Sequence, residues 1–161
     1  MADWNDFRAQ APDLASLAET RIAETGVVVV GTLRRDGWPR ISPVEPFIQE
    51  GHLYLGMMWR SLKALDLLRD PRVTIHSAVT DKDGKGGDVK LYGRARAITD
   101  RDEQTRYATA FKKATGYFPD GEFHLFEVDV VHAGSAHVEG REMVTTRWSD
   151  GGRPVTKRRL G

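Results

Sequence analysis

The sequence predicts a mainly β fold in which an antiparallel β-barrel is flanked by peripheral helices. Six or seven short segments have the composition of strands, and most follow one another through tight turns without an intervening helix. That order disfavours a parallel Rossmann-type sheet, which needs a helix in each crossover. The length of 161 residues and the hydrophobic content of 40% are those of one globular domain.

The overall charge disfavours a dedicated nucleic-acid binder, because 24 basic and 23 acidic side chains give a net charge of only +1. The longest clearly apolar run covers residues 27–30, which is far too short to span a membrane. The acidic start of the chain is unlike a signal peptide, so we expect a cytoplasmic protein with no membrane or nucleic-acid partner. Cysteine is absent, which leaves any redox activity to a bound cofactor.

The N-terminal segment, residues 1–25, is predicted to be helical. Asp3 can cap a first short helix, and Pro12 suits the first turn of a second helix. The barrel is expected over residues 26–148. A basic tail, residues 149–161, follows the barrel and is predicted to be extended or loose, all within a single domain.

The first strands of the barrel include a proline-containing segment. A β-branched run over residues 26–33 predicts a buried strand, and the turn residues Arg35-Asp36-Gly37 lead into a second strand over residues 40–48. Pro43 and Pro46 have no amide hydrogen. We therefore expect this second strand to be bulged or to face something other than another strand.

The remaining elements follow from alternating apolar positions in strands and from three- to four-residue spacing in helices. The predicted strands cover residues 52–58, 72–78, 88–98 and 123–131, and one or two further strands cover residues 136–148. The predicted helices cover residues 62–69 and about 101–115. Asp70-Pro71 ends the first of these helices, and Thr99-Asp100 caps the second. Residues 80–87 are a polar loop.

The junction between the strand over residues 52–58 and the helix over residues 62–69 indicates a binding site. Ser61 occupies the N-cap position, Arg60 precedes it, and Lys63 lies in the first turn. Cations there oppose the helix dipole and cost stability unless an anion is bound, so the arrangement is consistent with a phosphate site. An ordinary serine cap with solvated cations is the alternative.

The neighbouring strands offer a surface for a planar ring. The strand over residues 52–58 ends with Gly56, Met57 and Met58, and methionines pack flexibly against such a ring. The proline-broken strand over residues 40–48 can turn backbone donors and acceptors towards it. The alternative is that the methionines fill the barrel interior and the prolines mark an edge strand.

Three stretches in this order, residues 28–44, 52–55 and 61–73, resemble the pyridoxamine 5′-phosphate oxidase-like flavin-binding split-barrel family. The third stretch is the most specific, residues 88–95 resemble the family's next strand, and the whole resemblance extends over about residues 15–131. It implies a six-stranded antiparallel split barrel. It also implies a homodimer that binds FMN at the subunit interface and acts on a small molecule.

The resemblance further implies which residues bind the cofactor. Ser61 and Lys63 match the phosphate-binding positions, and the strand that begins at Arg40 lies along the isoalloxazine ring. The implied cofactor-binding residues are Arg40, Ile41, Ser42, Pro43, Val44, Glu45, Gly56, Met57, Arg60, Ser61, Leu62, Lys63 and Asp88. No catalytic residue is assigned, and the five histidines match no metal-ligand motif.

Two departures from the family pattern argue against pyridoxamine phosphate as the substrate. Leu62 replaces an arginine of the oxidase motif, and Glu45 replaces a lysine that binds the substrate's phosphate. A carboxylate at position 45 repels a phosphate dianion. The sequence therefore predicts an FMN-binding oxidoreductase of unknown substrate. A deazaflavin-dependent reductase on the same fold, or a non-catalytic flavin- or haem-binding protein, is the alternative.

Overall fold

The computed structural model describes residues 1–161 and contains four helices and nine strands. The helices are α1 (Trp4–Gln10), α2 (Pro12–Thr25), α3 (Leu62–Arg69) and α4 (Arg101–Thr115). The strands are β1 (Val28–Leu33), β2 (Pro39–Val44), β3 (Pro46–Gln49), β4 (His52–Met58), β5 (Arg72–Ser77), β6 (Asp88–Ile98), β7 (Phe123–Glu139), β8 (Glu142–Ser149) and β9 (Val155–Leu160). None of the four helices combines the length and the apolar character needed to cross a membrane.

All nine strands belong to one antiparallel sheet, which confirms the mainly β prediction. The main path runs β2-β1-β5-β6-β7-β4-β3, and β8 and β9 extend the sheet from β7. The end strands of the path, β2 and β3, are consecutive in the chain, but no hydrogen-bonded ladder joins them into a closed barrel. The nine observed strands exceed the six or seven that the sequence predicts. Glu45 divides one predicted strand into two, and the tail adds another.

The two strands β2 and β3 replace the single strand expected over residues 40–48. β2 pairs with β1 along its whole length and has a free second edge, whereas β3 pairs with β4. An edge strand tolerates proline because the missing amide can face away from the ladder. The expected bulge is absent, because each part pairs regularly with one neighbouring strand. The predicted strand is instead interrupted at Glu45, where the pairing partner changes, and only the second edge of β2 faces no strand.

Strand β7 is longer than the sequence indicated. Separate strands over residues 123–131 and 136–148 were expected, but β7 is continuous from Phe123 to Glu139. Its first part pairs with β4, its second part pairs with β8, and β6 pairs along both parts. A register shift at Tyr92-Gly93 interrupts the β6 ladder between these two parts. The C-terminal tail is extended rather than loose, because β9 pairs with β8.

Two clusters of buried side chains stabilise the fold. The larger cluster joins α1, α2 and α3 to the sheet and includes the fully buried Trp4 and Phe7. As predicted, Asp3 caps α1, because its carboxylate accepts a hydrogen bond from the Asp6 amide at 2.8 Å. The smaller cluster, the α4 cluster, consists of Tyr54, Ile98, Tyr107, Phe111 and Leu125. It attaches α4 to the sheet beside the end of β4.

Candidate functional site

The N-terminus of α3 has a buried hydroxyl without a partner. Ser61 occupies the N-cap position with φ −60° and ψ 146°, but its side chain makes no capping hydrogen bond. The Ser61 Oγ is buried and has no hydrogen-bond partner in the chain. Buried polar atoms are normally paired, so this hydroxyl is available to a ligand. The alternative of an ordinary serine cap does not describe this helix end.

Positive charge gathers at the same end of α3. Lys63 lies half-buried in the first turn, which contains no acidic residue. Arg60 precedes Ser61 in a left-handed backbone conformation with φ 54°, and Leu62 is exposed between the charged positions. The first amides of a helix have no intrahelical acceptor. These amides, the Ser61 hydroxyl and the Lys63 ammonium form a donor set suited to phosphate.

Arg40 is held against α3 by a buried carboxylate. Its Nε donates to the Asp66 Oδ2 at 2.7 Å, and the Thr32 Oγ1 donates to the same oxygen at 2.9 Å. Burial acts to raise the pKa of Asp66, but hydrogen bonds from Arg40 and Thr32 bring it below its usual value. The Arg40 Nη groups have no partner in the chain. Arg40 shares a surface depression with Leu62, so these groups can contact an anion beside α3.

The side chains of β2 face two different environments. Ile41 and Pro43 are exposed, Ser42 is half-buried, and Val44 is buried in the core. Ile41 lines an outward depression of about 600 Å³ together with residues of β1, β5 and β6. No single ring can contact all four side chains. A ring along the free edge of β2 meets the backbone of this strand instead.

A cavity of about 510 Å³, the β4-end cavity, lies where β4 ends. Glu45, Gly56 and Met57 line it, so the structure brings together three of the residues implied for the flavin. The Gly56 backbone lies against the hydroxyl of Tyr107, which leaves no room for a Cβ at this position. Burial, and then the nearby Glu45 carboxylate, raise the pKa of Tyr107 well above its usual range.

Asp88 lies apart from the other candidate residues. It begins β6 opposite Ala136, with its Oδ2 3.9 Å from the His76 Nε2 and its Oδ1 3.6 Å from the Lys90 Nζ. The Oδ1 atom is buried without a hydrogen-bond partner. Asp88 lines neither the β4-end cavity nor the depression beside Arg40. Within one chain, it therefore does not join the proposed phosphate and ring contacts.

The aromatic wall of the β4-end cavity has no recognisable signal in the sequence. Tyr107 and Phe111 are four residues apart on α4, a spacing that is typical of any core-facing stripe. Trp59 follows β4 and stacks on His124 with ring centroids 4.4 Å apart. The contact between Gly56 and Tyr107 joins distant parts of the chain, so no local pattern could indicate it.

Solved structures with a similar fold include an FMN-binding protein and a haem-binding protein. A pyridoxamine 5′-phosphate oxidase-related, FMN-binding protein from Nostoc punctiforme has a TM-score of 0.63 and 13% identity, over 96% of this chain and 97% of that chain. ChuZ from Campylobacter jejuni has a TM-score of 0.70 and 13% identity, over 87% of this chain and 61% of that chain. A haem-binding protein from Mycobacterium smegmatis has a TM-score of 0.59 and 21% identity, over 91% of this chain and 58% of that chain. At these identities the similarity establishes the fold alone.

The sequence, rather than the fold, identifies the family to which this chain belongs. No curated protein sequence is detectably similar to this chain. The family model described as pyridoxamine 5′-phosphate oxidase, however, matches residues 15–135. This match covers most of the chain, from α2 to the second part of β7. The chain therefore belongs to the pyridoxamine 5′-phosphate oxidase-like family.

Proposed function

We propose that this protein is an FMN-dependent oxidoreductase. The observation that carries the proposal is the buried, unpartnered Ser61 hydroxyl at the N-terminus of α3. It lies beside Lys63 in a first turn that contains no acidic residue, which is the arrangement expected of a phosphate site. Family membership and the FMN-binding relative from Nostoc punctiforme support FMN as the phosphate-bearing ligand.

Each part of the site has a distinct role in this proposal. The first amides of α3, the Ser61 hydroxyl and the Lys63 ammonium bind the phosphate, and the free Nη groups of Arg40 add charge beside it. The free edge of β2 aligns the ring, with Gly56 and Met57 near the ribityl chain and the ring. FMN, when bound, supplies hydride or electron transfer, while the protein binds and orients both reactants.

The substrate in this proposal is a small molecule without a phosphate group. Glu45 lines the β4-end cavity, and its carboxylate has no ion-pair partner in the chain. A phosphate dianion placed there meets repulsion and no compensating cation. Pyridoxamine 5′-phosphate is therefore a poor candidate, despite the family to which the chain belongs.

Titration of the full-length protein with FMN tests the cofactor assignment. We expect flavin fluorescence to be quenched with saturation at one FMN per chain, and no comparable binding of haem or of a deazaflavin. Ser61→Ala should weaken FMN binding about tenfold, because the lost contact is a hydrogen bond to a charged phosphate. Ser16→Ala, at an exposed position of α2, is the matched control and should leave the affinity unchanged.

The same titration identifies the alternatives. A haem absorbance band without flavin binding indicates the haem-binding alternative, and preferential binding of a deazaflavin indicates that reductase class. If none of the three cofactors binds, the cofactor proposal is wrong. Unchanged FMN affinity in the Ser61→Ala protein would remove Ser61 from the phosphate site.

A further inference from the structure

The β4-end cavity has walls that no assigned role explains. Its volume of about 510 Å³ is in the range that accommodates a small organic molecule. Besides the end of β4, it is lined by α4 and by the segment between α4 and β7. The aromatic lining residues are Trp59, Tyr107, Phe111, Tyr117, Phe118 and Phe123.

The aromatic wall is a packed arrangement rather than a loose set of side chains. Phe118 lies with its ring centroid 5.8 Å from that of Phe111 and 5.0 Å from that of Phe123, at interplanar angles of 74° and 76°. Such edge-to-face contacts are favourable and hold ring orientations. The Thr115 Oγ1 donates to the Tyr117 carbonyl at 2.9 Å, which attaches the following segment to the end of α4.

The charged groups of the cavity all have the same sign. Glu45, Asp120 and Glu122 line it, and no lysine, arginine or histidine does. All three carboxylates are exposed, and none of them has an ion-pair or hydrogen-bond partner within the chain. They come from separate segments, since Glu45 lies between β2 and β3 and the other two precede β7.

The fields of two of these carboxylates reach side chains in the interior. Burial raises the pKa of Tyr107, and the Glu45 carboxylate raises it further. Burial lowers the pKa of His124, and the Glu122 carboxylate opposes that decrease. The negative potential of the exposed carboxylates therefore extends to Tyr107 and His124.

We propose that the β4-end cavity binds an organic cation that carries an aromatic ring, such as a protonated arylalkylamine. Ring faces attract a cation, carboxylates accept its N–H hydrogen bonds, and its charge compensates three unpaired negative charges. An anionic ligand of the same shape meets repulsion without a compensating donor. This cavity and the proposed flavin contacts share Glu45, Gly56 and Met57. The cation is therefore the substrate, and this last step rests on the proposed function.

Isothermal titration calorimetry of the full chain without added FMN tests the binding itself. Three probes share one indole ring and differ in charge: tryptamine is cationic, tryptophol is neutral and indole-3-acetate is anionic. We expect tryptamine to bind at least about tenfold more tightly than tryptophol, and indole-3-acetate not to bind. Equal affinity for the three probes, or no binding of tryptamine at about 1 mM, would overturn the proposal.

Charge-neutralising variants locate the binding. Glu122→Gln should weaken tryptamine binding about fivefold and leave tryptophol binding unchanged, because only an electrostatic contact is removed. Glu50→Gln makes the same chemical change in the exposed β3–β4 turn and is the matched control. A decrease with Glu50→Gln as large as that with Glu122→Gln would place the cation elsewhere and contradict the proposal.

Titration in the presence of FMN separates this inference from the cofactor assignment. Tryptamine affinity that is unchanged or increased by saturating FMN supports a substrate site beside the flavin. Displacement of tryptamine by FMN would show that the flavin itself fills the cavity, which overturns the inference. Tryptamine binding in a protein that binds no FMN supports the cation site and contradicts the proposed function alone.

Discussion

Gly56 shows how the absence of one side chain positions an aromatic residue from a distant segment. The Tyr107 hydroxyl occupies the space that a Cβ at position 56 would fill, and Tyr107 is buried. Glycine in a strand interior normally costs conformational entropy. Here it permits close contact between β4 and α4 beside the β4-end cavity.

We therefore expect Gly56→Ala to lower the free energy of unfolding by about 2 kcal/mol, because the added methyl group displaces Tyr107. Tyr107→Phe in the same chain should recover about 1 kcal/mol of that loss, since it removes the hydroxyl, which is the Tyr107 atom nearest to the methyl group. Urea denaturation of both single variants and the double variant measures this coupling. Gly31→Ala is the control, since its Cβ makes only ordinary contacts. Additive effects would contradict the close packing.

Lys63 supplies a second prediction at the residue scale. Lys63→Glu should weaken FMN binding by about 1.5 kcal/mol or more, because a charge-assisted contact becomes a repulsion. The same change should raise the free energy of unfolding without ligand by about 0.5 kcal/mol, since a carboxylate in the first turn favours the helix dipole. Fluorescence titration and urea denaturation measure the two effects.

The opposite signs at Lys63 distinguish a binding role from a structural one. Lys82→Glu, in the exposed polar loop, is the matched control and should change neither quantity appreciably. A Lys63→Glu protein with unchanged FMN affinity would remove this residue from the phosphate site. Ser61 and Lys63 could be chosen from sequence because they are local to one helix start. The absence of a partner for the Ser61 hydroxyl could not be predicted from the sequence, because it depends on three-dimensional packing.

At the scale of elements, α3 was predicted with its observed bounds, but its attachment to the sheet was not. Ala64 and Leu67 are buried, whereas Leu65 and Leu68 are exposed, so the helix has two apolar faces of which only one packs inward. Asp66 lies on the buried side and joins α3 to β1 through Thr32 and to β2 through Arg40. No sequence pattern indicates which residues will form hydrogen bonds with a buried aspartate in a leucine-rich helix.

The Asp66 contacts predict a pH dependence of stability. The pKa of Asp66 is below its usual value in the folded chain, so its stabilising contribution is present above the unfolded-state pKa of about 3.8. It is lost as the pH falls through the lower folded-state pKa. Asp66→Asn should therefore lower the free energy of unfolding by about 2 kcal/mol at about pH 7.

The difference between the two proteins should shrink as the pH decreases below about 4, because the wild-type carboxyl then becomes neutral as well. Urea denaturation at a series of pH values measures it. Asp36→Asn, in an exposed turn, provides the control and should change stability by less than about 0.5 kcal/mol. A difference that is independent of pH would show that Asp66 acts by shape rather than by charge.

At the scale of the whole molecule, the outer face of the sheet exposes apolar side chains that a lone chain leaves uncovered. Ile41 is 76% exposed, Tyr92 is 45% exposed and Val29 is 37% exposed. All three line the outward depression of about 600 Å³, which β1, β2, β5 and β6 share. Contiguous apolar surface of this kind is typical of protein interfaces. The expected homodimer remains a prediction, and this face is the surface we assign to it.

The dimer face can be tested without changing any proposed cofactor contact. Val29→Glu should convert a dimer into a monomer in sedimentation velocity at micromolar concentration, because it places a charge in an apolar contact. Its free energy of unfolding should change by less than about 1 kcal/mol, since the position is exposed within each chain.

Tyr92→Lys provides a second variant on the same face, and Leu160→Glu, at an 81% exposed position of β9, is the control that should remain dimeric. Monomeric wild-type protein would contradict the dimer, and dimeric Val29→Glu and Tyr92→Lys proteins would place its interface on another surface. Loss of FMN affinity on conversion to monomer would show that the partner subunit contributes to the cofactor site. We expect this because Asp88 of the same chain lines neither the β4-end cavity nor the depression beside Arg40.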